Sequence, residues 1–469
     1  MRVVFCSSEV LPFAKTGGLA DVCGTLPLIL EKYGINVAIV MPRYQCVDAK
    51  KFTVRPLNQN ISTAKIGQNI NVYFVENKRL FDRDGLYGDE KGDYEDNLER
   101  FSYYGKAALE LLKEANLKTD IIHCHDWQAA LIPVYLKTAY KNDPFYAKIK
   151  SILTIHNLAY QGLFAEEEFP LLGLNDKLFG VDGLEFYGNV NLLKGGIIFS
   201  DAVTTVSRQY AKEIQTPKFG CGLEGVLRKK KNILGINNGV DGQLWNPETD
   251  AFLAKNYSAG NIEDKYVNKR ELQKKLKLDA KKDVPLVGFV GRLSSQKGLD
   301  LVYEAVDEIV KLDVQMVFLG VGEEKYQNIL RAMAKKYPKK IAAYLQFDEP
   351  MAHLVYAGSD IFLMPSVYEP CGLSQMISLR YGTIPLVFKT GGLADTIKHF
   401  DSADHQGNGF VFDIYKKEAL VKTMKIAVKA YHDKDIFNRL VLKSFGHDFS
   451  WKNSAAEYKK LYEETLAGH

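Results

Sequence analysis

The sequence predicts an α/β protein built from two doubly wound, mostly parallel sheets, and three features point there. Apolar bursts of four to six residues alternate with longer amphipathic stretches, the rhythm of βαβ units. The chain has 469 residues, enough for two large domains, and 46% of them are hydrophobic, enough to fill two cores. Between the halves, residues 246–283 carry Pro247 and a run of charges but no buried-strand burst. The bounds are therefore a first domain over 1–245, a second over 246–447 and a terminal segment over 448–469.

In the first half, Arg2 to Cys6 reads as a strand and Gly18 to Tyr33 as a helix, and strands end near His125 and His156. In the second half, strands at Leu286–Val290, Met316–Leu319, Ile361–Met364 and Pro385–Phe388 alternate with helices starting at Leu299, Glu323 and Ser374. Residues 246–283 read as a linker carrying an exposed helix.

The charge sum excludes some functions. With 61 Lys+Arg against 57 Asp+Glu, a net +4 is too slight to imply a nucleic-acid or membrane-surface partner. The basic run Arg228-Lys229-Lys230-Lys231 reads as a solvated helix end. Six cysteines, at 6, 23, 46, 124, 221 and 371, form no Cys-x-x-Cys pair, which argues against a disulfide framework or a zinc ribbon. No apolar stretch is long enough for a membrane helix, and the first strand meets Glu9 too soon for a signal-peptide core. A cytoplasmic location is expected.

One repeat stands out. Lys15-Thr16-Gly17-Gly18-Leu19-Ala20-Asp21 recurs as Lys389-Thr390-Gly391-Gly392-Leu393-Ala394-Asp395. Each copy follows a predicted strand and opens a helix, where unpaired N–H groups and the helix dipole favour an anion. A diglycine also makes a tight turn with no ligand at all. Two such turns on two sheets suggest one ligand held in the cleft between lobes.

The first strand ends in Cys6-Ser7-Ser8-Glu9 and lacks the Gly-x-Gly-x-x-Gly turn, which argues against a dinucleotide dehydrogenase. Gly291-Arg292-Leu293-Ser294-Ser295-Gln296-Lys297-Gly298 places a guanidinium and an ammonium at a strand end, suited to a diphosphate. After another strand, Glu369 can reach a sugar hydroxyl, while Cys371, Gly372 and Leu373 can offer backbone N–H groups to an anion. His123 and His125 alternate on one side of a strand, followed by Asp126 and Trp127. That pattern allows a metal site, though no third ligand stands at a recognisable spacing, and it also suits a pocket that hydrogen-bonds and stacks on a sugar. His156 and Asn157 end the next strand. Asp82-Arg83-Asp84 and Asp433-Lys434-Asp435 resemble metal-holding Asp-x-Asp pairs, but neither follows a buried strand; residues 82–97 read as a mobile acceptor-side loop.

Taken together, the two Thr-Gly-Gly-Leu-Ala-Asp copies, His125-Asp126-Trp127, His156 to Gly162, Asn238-Gly239-Val240-Asp241, Arg292 with Ser295 to Asp300 and Glu369 to Leu373 resemble the bacterial glycogen synthase and plant starch synthase family over nearly the whole chain. The resemblance implies the two-lobed GT-B fold, ADP-glucose as donor, an α-1,4-glucan as acceptor, retention at the anomeric carbon, and no cofactor or metal. It implies that Lys15, Gly17 and Gly18 touch the donor diphosphate from one lobe and Arg292 and Lys297 from the other, with Thr390 and Gly391 also on the donor. Glu369, Cys371, Gly372 and Leu373 would hold the glucosyl unit, with His156 near the anomeric centre, Asp126 on a sugar hydroxyl and Asn238 beside them. Phe347 would stack on adenine, Tyr87 and Trp127 would lie on the acceptor side, and Asp21 would order the Lys15 loop. Position 377 is Ile377 where many GT-B relatives carry a second acid. The terminal segment resembles one that crosses back to the first lobe. A UDP-sugar transferase, a silent sugar-nucleotide sensor and an epimerase remain as alternatives. A sensor would be expected to have lost Lys15, Arg292, Lys297 or Glu369, and all four are present.

Overall fold

A computed structural model of the chain describes residues 1–230, 232–401 and 406–468. Lys231, at the end of the basic run, and His469 lie outside them. The chain divides into two compact units, one of Met1–Asn238 with Trp451–His469, the other of Gly239–Ser450. The change of unit thus falls at Asn238/Gly239, ahead of the position near 245 expected from sequence. The reason is local: Arg380 donates from Nε to the Trp245 carbonyl at 2.8 Å, and the Trp245 indole stacks on His353 at 4.0 Å, tying this stretch to the second unit.

The strands of the two large sheets are numbered along the chain. In the first unit they are β1 (Arg2–Cys6), β2 (Asn36–Pro42), β3 (Arg55–Pro56), β4 (Ile61–Ile66), β5 (Ile70–Val75), β6 (Ile121–His125), β7 (Lys150–Ile155), β8 (Ala202–Thr205) and β9 (Leu234–Gly235). Their order across the sheet is β9-β8-β7-β6-β1-β2-β5-β4-β3, parallel except where β4 pairs with β5 and β3 with β4. In the second unit, β10 (Leu286–Val290), β11 (Gln315–Leu319), β12 (Ile341–Tyr344), β13 (Ile361–Met364), β14 (Ile384–Phe388) and β15 (Phe410–Phe412) lie in the order β12-β11-β10-β13-β14-β15. Both sheets reverse direction beside their first strand, between β1 and β6 in one and between β10 and β13 in the other. In such sheets the crevice outside the strand C-termini at that reversal is where ligands bind.

Continuous apolar runs fit strands covered on both faces: Val3, Val4, Phe5 and Cys6 of β1 and Met316 to Leu319 of β11 are buried. Helix Gly18–Lys32 turns Leu19, Val22, Cys23, Leu26 and Leu30 inward, a 3.6-residue stripe. Helix Lys265–Lys275 corrects the expectation of an exposed helix, for it buries Lys265, Asn268, Lys269, Leu272 and Gln273. Its lysines can be buried because their amines find acceptors. The Nζ of Lys265 reaches the Ala357 carbonyl at 2.6 Å and Thr383 Oγ1 at 2.7 Å, and that of Lys269 reaches Asp360 at 2.7 Å.

The terminal helix Trp451–Ala467 packs within the first unit. Tyr462 bonds His123 Nδ1 at 2.8 Å, and Ser454 donates to the Asn237 carbonyl at 2.5 Å. Among the described residues no helix is long and apolar enough to cross a membrane.

Candidate functional site

In the first unit, the turn after β1 is organised around Glu9. This carboxylate is 4% exposed and collects four donors. Thr16 N and Gly17 N reach Oε2 at 2.5 and 3.0 Å, while Thr16 Oγ1 and the Tyr87 hydroxyl reach Oε1 at 2.6 and 2.8 Å. Glu9 therefore shapes the loop that carries Lys15, whose ammonium meets Asp21 Oδ1 at 2.7 Å in a partly exposed pair. The Tyr87 hydroxyl also bonds Ser8 Oγ at 2.7 Å, so this residue, expected at the acceptor, braces the same loop. Sequence reading missed Glu9. It follows β1 after Ser7 and Ser8 as any loop acid could, and no sequence signal marks it.

Beside this loop, β6 carries His123 and ends at His125, with Asp126 directly after it. The two histidines share one face, as their alternation predicts, with ring centroids 4.2 Å apart. Both ring nitrogens of His123 are used, Nδ1 by Tyr462 and Nε2 by Thr154 Oγ1 at 2.6 Å, which leaves it no lone pair for a metal. Among the described residues no group of three or more His, Cys, Asp or Glu is placed to hold one. Asp126 sits at φ +57, and its Oδ1 accepts from His156 N at 2.6 Å. Burial lifts its carboxyl to about 7, against the downward pull of the His156 and Asn157 backbone N–H groups. The His156 ring faces His125 Nδ1 at 3.0 Å, and burial pushes His156 down to about 3, so it is neutral near pH 7. Asn238 is buried with no hydrogen-bond partner for Oδ1 among the described residues, leaving an acceptor for a ligand.

Trp127 corrects an expectation. It is 9% exposed, set against Phe101 and Phe164 at centroid distances of 4.9 and 6.0 Å, and a Cβ on Gly162 would come within 2.5 Å of its ring. Its ring belongs to the core and offers no open face for a sugar. Residues 82–97 fold around a short hairpin, Gly88–Asp89 with Gly92–Asp93, tied down by the Arg83–Asp96 pair at 2.5 Å. Asp433, from the second Asp-x-Asp, caps helix Lys434–Phe445 by accepting from Ile436 N at 3.2 Å.

In the second unit, the loops after the adjacent strands β10 and β13 meet. Val367 N donates to the Gln296 carbonyl at 2.9 Å, and Gly298, at φ +71, lets the Pro365 carbonyl approach where a Cβ would lie only 2.0 Å from it. The approach brings Lys297 Nζ to Glu369 Oε2 at 2.7 Å, with Ser366 Oγ donating to the same oxygen at 2.9 Å. Glu369 is thus no isolated helix-start acid. Arg292 is exposed on the first of these loops. The second diglycine lies beneath them: Gly392 N donates to the Glu369 carbonyl at 3.0 Å, and a Cβ on Gly391 or Gly392 would come within 1.9 Å of a backbone oxygen. Cys371 is buried, Gly372 adopts φ +70, and Gly372 and Leu373 are half-buried ahead of helix Ser374–Arg380. Ile377 lies in that helix, 5% exposed. Phe347, beyond the end of β12, is 84% exposed, an unusual position for a large apolar ring.

Comparison with known proteins gives a consistent result. Residues 2–229 match the family model for the starch synthase catalytic domain, and residues 269–438 match that for group 1 glycosyl transferases. The glycogen synthase of Thermotoga maritima is 45% identical, over 100% of this chain and 99% of its own length. That of Geotalea daltonii is 47% identical over the same shares. Among solved structures, the catalytic domain of starch synthase IV from Arabidopsis thaliana, bound to ADP and acarbose, superposes with a TM-score of 0.91 at 35% identity, covering 99% of each chain. Sucrose-phosphate synthase from Thermosynechococcus elongatus, at 15% identity and a TM-score of 0.62, shares the fold.

Proposed function

This chain belongs to the glycogen and starch synthase family of GT-B glycosyltransferases, and from that premise we propose that it moves a glucosyl unit from ADP-glucose to the non-reducing end of an α-1,4-glucan. The anomeric configuration is retained and ADP is released. Lys15, Arg292 and Lys297 neutralise the diphosphate as the anomeric C–O bond breaks and its electron pair passes to the phosphate oxygen. The acceptor 4-hydroxyl attacks from the face that ADP leaves, and its proton passes to that phosphate oxygen. Glu369 and the backbone of Cys371, Gly372 and Leu373 hold the glucosyl unit. Asp126 meets a sugar hydroxyl, His156 lies close to the anomeric centre, and Asn238 lies beside them. Gly17, Gly18, Thr390 and Gly391 line the donor, Phe347 stacks on its adenine, and Tyr87 lies toward the acceptor.

The observation that carries this reading is the Lys297–Glu369 pair at the reversal point of the second sheet. An ammonium already held there needs only to exchange one anionic partner for another. When a diphosphate takes Lys297, Glu369 is released to accept a sugar hydroxyl. Radiolabelled ADP-glucose or UDP-glucose, offered with short maltooligosaccharides in EDTA, tests the proposal. Extension from ADP-glucose, with UDP-glucose far slower, is expected. Extension from neither donor, or products formed without acceptor, would contradict it.

A further inference from the structure

Building on the glycosyl-transfer reading, we propose that His125 is a positioning residue that fixes the ring proton of His156 on Nδ1, so that His156 presents a neutral N–H donor to a hydroxyl oxygen of the bound sugar. The geometry has few solutions. His125 is 0% exposed, and its Nδ1 stands 3.0 Å from His156 Nε2. Burial keeps both rings neutral near pH 7, so each carries one proton. One of the two facing nitrogens must donate and the other accept.

The far nitrogen of His125 decides which. Its Nε2 is buried with no hydrogen-bond partner among the described residues. The His125 ring packs against those of Phe5 and His123, with ring centroids 5.0 and 4.2 Å apart, and both nitrogens of His123 are already bonded. If His156 donated from Nε2, the proton of His125 would sit on that orphan nitrogen as a buried N–H with no acceptor, the rarer and costlier defect. With His125 donating from Nδ1, only a lone pair is orphaned there. The proton of His156 then sits on Nδ1, which has no hydrogen-bond partner among the described residues and lies on a half-buried ring.

A purely structural role fits poorly. A leucine here would remove the orphaned Nε2 but would also take away the partner of His156 Nε2, so the contact to His156 is what offsets the unpaired nitrogen of His125. His125 and Asp126 are consecutive residues that grip one target: Asp126 holds the His156 backbone N–H and His125 holds its ring. The histidine is oriented from both ends before any sugar arrives.

Nitrogen-15 NMR of the full chain with labelled histidines, without substrate, reads the ring directly, the His156 signals being identified by their loss in His156→Asn. Wild type should show a protonated Nδ1 and a bare Nε2 at His156; a protonated Nε2 would overturn the proposal. His125→Leu should mix the two forms and lower kcat about 10- to 100-fold, with the KM for ADP-glucose changing much less. His125→Asn keeps an N–H within reach and should recover most of that loss. Equal kcat for the Leu and Asn variants would reduce His125 to a packing residue and overturn the positioning role. If the leucine variant does not fold, the wild-type spectrum still decides. A wild-type chain that transfers no glucose would instead sink the reading of function and leave the ring assignment standing.

Discussion

The two Lys-Thr-Gly-Gly-Leu-Ala-Asp segments are identical in sequence and opposite in situation. In the first, Lys15, Thr16 and Gly18 are exposed, a Cβ on Gly17 would meet nothing within 4 Å, and the loop is held by the Glu9 carboxylate. In the second, Thr390 is 1% exposed, both glycines are buried, and the anchor is a carbonyl, that of Glu369. In the first copy the diglycine leaves a backbone open to a ligand; in the second it lets two backbones touch beneath the Lys297–Glu369 pair. A local sequence sets the turn, and the neighbouring strand ends set its use.

The sharpest break between the copies should come from their lysines. Lys15→Ala is expected to lower kcat about 1,000-fold, as loss of a charge on a leaving group does, whereas Lys389→Ala should stay within about threefold. Equal losses in steady-state transfer assays would mean that both copies serve the donor through their lysines. The glycines should reverse the ranking. Gly392→Ala forces a methyl to within 1.9 Å of the Cys371 carbonyl and should cost about 3 kcal/mol in urea unfolding. Gly17→Ala enters open space and should cost about 1 kcal/mol or less.

How much of this was legible beforehand follows from the same contrast. Strands 286–290 and 361–364, the helix starts at Leu299 and Ser374 and the crowding of site residues at strand ends were readable, because parallel strands covered on both faces read as near-continuous apolar runs. The role of Glu9 was not: nothing in a linear reading shows that an acid after β1 will curl back onto Thr16 and Gly17. Trp127 misled because an aromatic at a strand end looks alike whether a sugar or Phe101 covers it. Helix Lys265–Lys275 misled because lysine implies solvent, and the carbonyls that satisfy Lys265 come from residues about ninety positions away.

Two smaller effects refine the picture of the first unit. Glu9→Ala strands four donors and should lower kcat/KM about 100-fold through a displaced Lys15 loop, with a stability loss of about 1–3 kcal/mol; unchanged kinetics would detach the loop from the reaction. Asp126 gives a pH signature. Its folded carboxyl lies near 7 against about 4 in the unfolded chain, so the folded state holds a proton that the unfolded state has released. Stability from this group is full below about pH 4 and is lost as pH rises toward 7. Asp126→Asn keeps an acceptor for the His156 N–H and should remove that slope. The neutral histidines, whose lowered values act in the opposite sense as pH falls below about 6.5, contribute to both proteins alike. The Tm of wild type should therefore fall relative to the variant between about pH 5 and about pH 8, and parallel curves would refute the protonated carboxyl.

The central claim is that Lys15 and Arg292, carried by different units, act on one leaving diphosphate. A double-mutant cycle on kcat in single-turnover transfer from ADP-glucose, with Lys15→Ala, Arg292→Ala and the pair, measures it. The account predicts a large loss in each single variant and a coupling of about 0.5–3 kcal/mol between them. Strictly multiplicative losses, or a single variant with unchanged turnover, would contradict it.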